Sequence, residues 1–270
     1  MTDRLLSRLV LLAVIGLVST AVHAQNYTPI SSLRTGGNYV NQPTPLILPQ
    51  GMWEVRFTHR FAEPINEGDV HNFWGLDGSA DIGIGLALAV RHDLQIELFR
   101  SDVQDNYEAA LKWAFIRQAP SFPVSITFRG GADVMTEEGI EDRTSLFVQS
   151  IISKQISRRL EVFAAPAYVS DAGSFEHAVN VPFGMAWFYR PSAAVVLELI
   201  PENTDLPDQL DSSFAWALGW KRAIGGHFFE IMLANTRSTH VNQYVPGEFL
   251  RGIELESGDV HLGFNIVRRF

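Results

Sequence analysis

The chain has 270 residues, a formal net charge of −9 and no cysteine, and its aromatic residues include 18 Phe and 6 Trp. The acidic balance argues against a nucleic-acid partner, because Lys and Arg supply most of the binding to phosphates. Without cysteine the chain has no disulfide, no lipid-modified cysteine and no Cys-x-x-Cys-His haem site.

The N-terminal residues have the pattern of a secretory signal peptide. Arg4 and Arg8 precede an apolar run at 9–18, and a small-residue cleavage site ends at Ala24. We predict a signal peptide at 1–24 and export of the remaining chain through the inner membrane. A membrane anchor is the alternative, but the apolar run is shorter than the roughly 20 residues of a spanning helix.

Residues 25–51 are rich in Asn, Pro, Gln, Thr and Gly and show no regular period. This composition predicts an irregular N-terminal segment on the periplasmic side of the folded domain. Many positions on the strands that follow are small, so the space that those strands enclose must hold water or polypeptide. We therefore expect residues 25–51 to be a candidate plug for that space.

After this segment apolar residues alternate with polar or small ones, as in β-strands whose two faces meet different surroundings. In Trp53–Phe61 large apolar side chains share one face and charged ones the other. The run at 144–156 is ambiguous, because neither of its faces is clearly apolar. We predict about twelve strands, near 53–61, 81–90, 94–101, 107–115, 124–129, 144–156, 160–169, 180–190, 193–200, 213–221, 227–235 and 259–270.

The connections between these runs alternate in length, with tight links such as 91–93 and 190–192 between longer polar segments. Bacterial outer-membrane barrels keep short turns at the periplasmic end and long loops outside. The predicted strands also have lengths that suit a tilted crossing of a bilayer. The predicted outer loops are 62–80, 101–106, 130–143, 170–179, 201–212 and 236–258, of which only 101–106 is short.

One face of the strands collects large aromatic residues and the opposite face collects charges. A soluble barrel would bury those charges in its core without partners, whereas a barrel in lipid encloses them in a wet lumen. The sheet must also close, because an open edge is not tolerated in hydrocarbon. The sequence therefore predicts an all-β fold, a closed antiparallel transmembrane β-barrel of about 12 strands at 52–270, in the bacterial outer membrane. The expected lumen-lining residues are Glu54, Arg56, Arg60, Glu97, Glu108, Lys112, Arg129, Glu198 and Lys221.

The last strand continues its alternation to the final residue, Phe270. We expect this strand to pair with the first and so to close the barrel. A terminal aromatic strand also resembles the assembly signal of outer-membrane barrels. We therefore assign that role to Phe270, and we expect the barrel-assembly machinery and outer-membrane lipid as partners.

Several motifs resemble an uncharacterised family of bacterial membrane-bound β-barrel proteins, a domain of unknown function. The motifs are HRF at 59–61, NFWGLDGSADIGIGLALAVRHDLQIELFRS at 72–101, LKWAFIRQ at 111–118, PVSITF at 123–128 and HFFEIMLANT at 227–236. The resemblance implies a transmembrane barrel and implies no reaction.

The sequence offers no compelling catalytic or metal-binding residue. His59 is the candidate catalytic residue of a lipase-type enzyme, but no serine at a matching depth is identifiable, and we favour an interfacial histidine that hydrogen-bonds to a headgroup or a loop. The histidines lack metal-ligand spacing. Two acidic groups suit solvated outer loops better than a calcium site, because neither has a regular liganding spacing. They are Glu137, Glu138, Glu141 and Asp142, and Asp205, Asp208 and Asp211. We predict no catalytic residue, cofactor or metal.

Three functions remain open at this point. The first is a passive or gated pore for small polar solutes, with weak ion selectivity because the lumen charges are of both signs. The second is an outer-membrane lipase-type enzyme built around His59. The third is a structural barrel, or a sheath for a periplasmic partner. Of these we favour the pore.

We predict that both chain ends face the periplasm and that the acidic loops face the exterior. A peptide tag inserted at 205–211 should be labelled on intact cells, whereas a tag inserted at 91–93 should be labelled only after permeabilisation. The reverse labelling pattern would contradict this orientation.

Overall fold

The structure, a computed structural model, describes residues 36–139, 141–172, 177–203, 214–247 and 258–270. The described residues form fourteen antiparallel strand segments. They are β1 (Trp53–Phe61), β2 (Ala80–Arg91), β3 (Leu94–Ser101), β4 (Asn106–Ile116), β5 (Ser125–Met135), β6 (Arg143–Ser157), β7 (Leu160–Ala164), β8 (Ala167–Val169), β9 (Ala178–Asn180), β10 (Phe183–Arg190), β11 (Ala193–Ile200), β12 (Ala215–Ile224), β13 (His227–Ala234) and β14 (His261–Arg269).

The segments form a closed ring. Apart from β7–β8 and β9–β10, segments that follow one another in the chain are paired, and the ring closes where β1 pairs with β14, from Glu54–Arg269 to Arg60–Gly263. β7 and β8 both pair with β6 and are two parts of one strand. β10 and β9 pair with these two parts in turn and are likewise one interrupted strand. The protein is therefore a closed antiparallel barrel of 12 strands, as predicted.

Prolines explain the two interrupted strands. Pro166 lies between β7 and β8, and Pro182 lies between β9 and β10. Proline has no N–H group to donate to a neighbouring strand, so the ladder of hydrogen bonds is broken there. Their carbonyl oxygens still take part, because Ala165 N–H donates to Pro182 (2.7 Å) and Ser150 N–H donates to Pro166 (2.9 Å).

β5 is longer than the sequence pattern predicted. The expected strand at 124–129 extends to Met135, so the assignment of residues 130–135 to an outer loop was wrong. The apolar alternation is hidden there by Gly130 and Gly131. A Cβ atom on Gly131 would lie 2.1 Å from the carbonyl oxygen of Ala109, so glycine permits a close approach of β4 at this point.

Large apolar side chains cover the outside of the barrel. Along β4 exposed and buried residues alternate strictly, and Leu111, Trp113 and Phe115 are 55%, 41% and 51% exposed. In β6 Leu146 is exposed while its neighbour Phe147 is buried inside the barrel. Both faces of β6 therefore carry apolar residues, which is why its sequence was ambiguous. A continuous apolar outer wall of this kind requires an apolar solvent.

Helical structure among the described residues is short. It comprises α1 (Val241–Tyr244) and the 3-10 turns Phe73–Gly75 and Val103–Asp105. Within the described ranges, no helix is long and apolar enough to cross a membrane. The predicted signal peptide at 1–24 and the acidic group at 205–211 lie outside the described residues.

The two ends of the barrel differ. One end, which we call the turn end, holds the tight links such as 92–93 and 225–226, the start of β1 and the end of β14. The opposite end, which we call the loop end, holds the longer connections such as 62–79.

Phe270 closes the seam at the turn end. Its N–H donates to the carbonyl of Trp53 (2.9 Å) and its carbonyl accepts from the N–H of Trp53 (3.1 Å). The two rings also stack, with their centres 4.1 Å apart. Both the backbone and the side chain of the last residue therefore bind the first strand.

We predict that deleting Phe270 lowers the amount of folded barrel, because the seam loses two hydrogen bonds and a ring contact that contributes about 0.5–1.5 kcal/mol. The measurement is the fraction of heat-modifiable protein on electrophoresis after expression. The control Phe270→Ala keeps the backbone hydrogen bonds, so its yield should fall between wild type and deletion. A normal amount of folded protein after the deletion would contradict this role.

Candidate functional site in the barrel lumen

Residues 36–48 lie inside the barrel and make a narrow turn, and we call them the hairpin segment. Tyr39 N–H donates to the carbonyl of Gln42 (2.7 Å), and Thr44 N–H donates to Gly37 (2.9 Å). The side chains at the tip are fully buried, Gln42 being 0% exposed. Because β1 begins shortly after this segment, at Trp53, the hairpin segment enters the lumen from the turn end.

Glu198 on β11 anchors the tip of the hairpin segment. Its carboxylate accepts backbone N–H groups from Val40 (2.7 Å), Asn41 (2.9 Å) and Gln42 (2.9 Å). A carboxylate that is 1% exposed needs such donors, since an unpaired buried charge is strongly destabilising. Each hydrogen bond to a charged acceptor contributes roughly 1.5–3 kcal/mol. This carboxylate and the hairpin tip therefore stabilise one another.

Other charges of the wall also bind the hairpin segment. The Lys221 ammonium donates to the carbonyl oxygens of Asn38 (2.6 Å) and Tyr39. The Arg60 guanidinium donates to the side-chain oxygen of Asn41 (3.0 Å). Glu54, which forms an ion pair with Arg269 across the seam (2.7 Å), also accepts the N–H of Gly37 (3.2 Å). The predicted lumen residues that contact the hairpin segment are thus Glu54, Arg60, Glu198 and Lys221.

Tyr39 combines a polar and an apolar contact. Its hydroxyl donates to Glu161 (2.7 Å), and its ring stacks on Phe163 with ring centres 3.8 Å apart. Burial, followed by the nearby Glu161 carboxylate, raises the pKa of the Tyr39 hydroxyl well above its usual range, so it stays a donor. Space for the tip comes from small wall residues: a Cβ atom on Gly219 would lie 2.9 Å from a methyl carbon of Val40.

Four of the five remaining predicted lumen residues form an ion-pair cluster, namely Glu97, Glu108, Lys112 and Arg129. Arg129 binds Glu97 (2.7 Å) and Glu108, and the Lys112 ammonium lies 3.6 Å from Glu97. The Arg56 guanidinium lies over the ring of a neighbouring phenylalanine, 4.3 Å from its centre. A cavity of about 40 Å³ lies between this cluster and the hairpin segment. That volume holds a few water molecules and is too small for a hydrated solute.

The connection after β13 also enters the lumen, from the loop end. We call residues 235–247 the inner loop. The prediction of residues 236–247 as part of an outer loop was wrong, because Thr236–Val245 are all buried. Val241 and Tyr244 of α1 and the adjacent Val245 form one apolar face, which shares a hydrophobic cluster with Phe147 of β6. An apolar stripe on a single helical turn is too short to recognise as a pattern in the sequence.

Polar contacts fix the inner loop to the wall and to the hairpin segment. Arg237 forms an ion pair with Asp81 of β2 (2.9 Å). The Gln149 amide nitrogen donates both to Gln42 of the hairpin segment (3.1 Å) and to the hydroxyl of Tyr244 (3.2 Å). The two inserted segments therefore meet at Gln149, and together they occupy the lumen from both ends.

Several lumen residues were not singled out from the sequence. Glu161 and Glu230 have the parity of the inward face and follow from strand alternation alone. Asp133 lies on the part of β5 that was predicted to be a loop, and His240 lies in the inner loop. Residues on such segments carry no alternation signal that would place them in the lumen.

The two other candidate sites are His59 and the acidic loop residues. The His59 ring stacks on Phe264 with ring centres 4.7 Å apart, and its Nδ1 atom has no hydrogen-bond partner, serine or other, within the described part of the chain. Glu138, Glu141 and Asp142 are exposed, as expected of a solvated loop. Asp205, Asp208 and Asp211 lie outside the described residues.

No curated protein matches the chain in a sequence search. Similar solved structures include an outer membrane channel from Pseudomonas putida F1 (11% identity, 83% of this chain and 97% of that chain, TM-score 0.47). Others are Omp33 from Acinetobacter baumannii (9%, 82% and 99%, TM-score 0.44) and outer membrane phospholipase A from Escherichia coli (9%, 87% and 98%, TM-score 0.45). A family model described as a membrane-bound β-barrel domain, DUF5777, matches residues 35–270. The chain therefore belongs to this family of membrane-bound β-barrel domains.

Proposed function

We propose that the protein is an outer-membrane channel for small polar solutes and that the hairpin segment is its gate. The described conformation corresponds to the closed state in this proposal. The observation that carries it is the binding of three consecutive backbone N–H groups by Glu198, which holds an uncharged hairpin tip against a charged wall.

The chemistry of the interface supports a reversible gate. The contacts of the hairpin segment with Glu198, Lys221 and Arg60 are hydrogen bonds that water can replace. Each of these bonds has a charged partner and contributes roughly 1.5–3 kcal/mol, so the closed state is favoured and the channel opens rarely. Charged side chains that are buried in the closed state would then face water in the open state. Since about eight strands is the width that side chains fill alone, 12 strands leave a passage once the segments are removed.

The alternatives have less support. A lipase-type enzyme needs a serine beside His59, and the described residues supply no such hydrogen bond. A permanently closed structural barrel is compatible with the filled lumen and is the outcome that electrical silence would favour.

We predict that conductance depends on both inserted segments. In planar bilayers the full protein should open rarely, because the lumen is filled. A chain that begins at Pro49 should open more often and conduct more, and a chain that also has residues 236–247 replaced by a Gly-Ser linker should stay open. The last variant is needed because the inner loop still narrows the passage at the loop end when the hairpin segment is absent.

The matched control replaces residues 136–142, of which Glu138, Gly139, Glu141 and Asp142 are exposed, by the same kind of linker, which should leave conductance at the wild-type level. Each protein is first shown to be folded by its heat-modifiable migration. Electrical silence of the doubly altered, folded barrel would contradict the channel and favour the structural alternative.

We predict that Glu198→Ala releases the hairpin tip, because three backbone N–H groups lose their acceptor. Amide hydrogen exchange at residues 40–42 should become at least about tenfold faster, and channel opening more frequent. The control Asp171→Asn removes a carboxylate that pairs with Arg143 and does not contact the tip. Unchanged exchange at residues 40–42 in Glu198→Ala would show that Glu198 is not the anchor.

A further inference from the structure

The inner loop brings an imidazole to two carboxylates that lie on neighbouring strands. Glu108 of β4 and Asp133 of β5 are partners in the pairing of these strands, and both point into the lumen. His240 precedes α1 and is 0% exposed. One ligand atom from each of the three residues lies within 4.8 Å of the other two. These residues form the one such three-residue group found within the described ranges.

The oxygen atoms converge on a single nitrogen. Nδ1 of His240 lies 3.0 Å from Oδ1 of Asp133 and 3.9 Å from Oε2 of Glu108. The ligand atoms of a tetrahedral zinc ion lie about 3.4 Å apart, given bonds of about 2.1 Å. The observed separations lie on either side of that value. A small movement of the side chains would therefore place all three atoms around one ion.

A hydrogen bond from His240 does not satisfy both carboxylates. An N–H on Nδ1 points at one oxygen, so it cannot serve both carboxylates. Asp133 is 0% exposed and its Oδ2 atom has no hydrogen-bond partner among the described residues. No Lys or Arg ion pair is found for Asp133 in the same ranges. A fully buried carboxylate in that situation needs additional positive charge.

The surroundings hold the three groups in place. Oε1 of Glu108 is bound by Arg129, which leaves Oε2 directed at His240. Gln243 accepts hydrogen bonds from the backbone N–H groups of Thr239 and His240 (both 3.3 Å) and donates to the carbonyl of Val103 (3.3 Å). The imidazole is therefore presented by a braced turn, and support of this kind orients metal ligands.

We propose that Glu108, Asp133 and His240 bind a divalent transition-metal ion, with zinc as the best match, and that the ion fastens the inner loop to β4 and β5. One imidazole nitrogen and two carboxylate oxygens are ligands that suit zinc, whereas calcium and magnesium take oxygen ligands. The fourth position of a tetrahedral ion would be taken by a water molecule. The site is independent of whether the barrel conducts.

The test uses the untagged, folded protein in detergent after removal of metal with a chelator. Zinc is titrated against a chromophoric competitor, and bound zinc is counted by mass spectrometry after desalting. The wild type should bind one zinc ion per chain. His240→Gln and Asp133→Asn should each weaken binding at least about tenfold, since each removes one of three ligands. Zinc should also raise the temperature of heat-modification of the wild type and not that of His240→Gln.

The matched control is His261→Gln, which removes a buried imidazole outside the site and should leave zinc affinity unchanged. Heat-modifiable migration shows which variants are folded, and the two ligand variants keep side chains of similar size. Absence of stoichiometric zinc from the wild type would overturn the site whatever the variants do. Equal zinc affinity of folded His240→Gln, or calcium binding that is insensitive to this substitution, would overturn it as well. None of these readouts measures conduction, so failure of this site and failure of the channel are distinguishable.

Discussion

The width of the barrel is the constraint on which the rest of the structure depends. Twelve strands enclose more space than the side chains of their own inner face can fill. Much of that face is charged, and a buried charge needs a partner. The chain meets both requirements with the same pieces of polypeptide, because backbone groups of the hairpin segment provide donors for Glu198 and acceptors for Lys221. The same segments therefore fill the lumen and provide hydrogen-bond partners for several of its charges.

The wall is also shaped for what it contains. Ala186 and Ala217 pack around the hairpin tip, and Gly219 leaves room for Val40. Larger residues at such positions would collide with the tip, and an absent tip would leave the small residues facing empty space. Close packing of this kind indicates that the closed arrangement is specific, since nonspecific collapse of a polar segment would not match individual wall positions. In the proposed channel, water takes the place of the tip at these polar contacts when the lumen opens.

Strand alternation made most of the fold predictable from the sequence, because the inside and outside of a barrel differ in polarity at every second residue. Each predicted strand has a counterpart, although Gly130 and Gly131 concealed the end of β5. The inward parity of Glu198 followed in the same way, but the identity of its donors did not. Those donors lie more than 150 positions away in sequence, on a segment without a period. The inner loop was misassigned for a related reason. The apolar face of α1 spans a single turn, which has too few residues to show a helical period in the sequence.

The joint at Gln149 limits how strongly the two inserted segments affect each other. Its amide nitrogen carries two hydrogens, one for Gln42 and one for Tyr244, so both bonds form at once without competition. When the hairpin segment leaves, one N–H loses its partner and gains water, at a net cost of about 0.5–1.5 kcal/mol. The inner loop keeps its ion pair between Arg237 and Asp81 and its apolar packing throughout. The interaction of the two segments through this one residue is small compared with the contacts that each segment makes on its own. Their contributions to the stability of the filled lumen should therefore be nearly additive. In the proposed channel the hairpin segment can therefore move while the inner loop stays in place, and the two segments act as separate barriers.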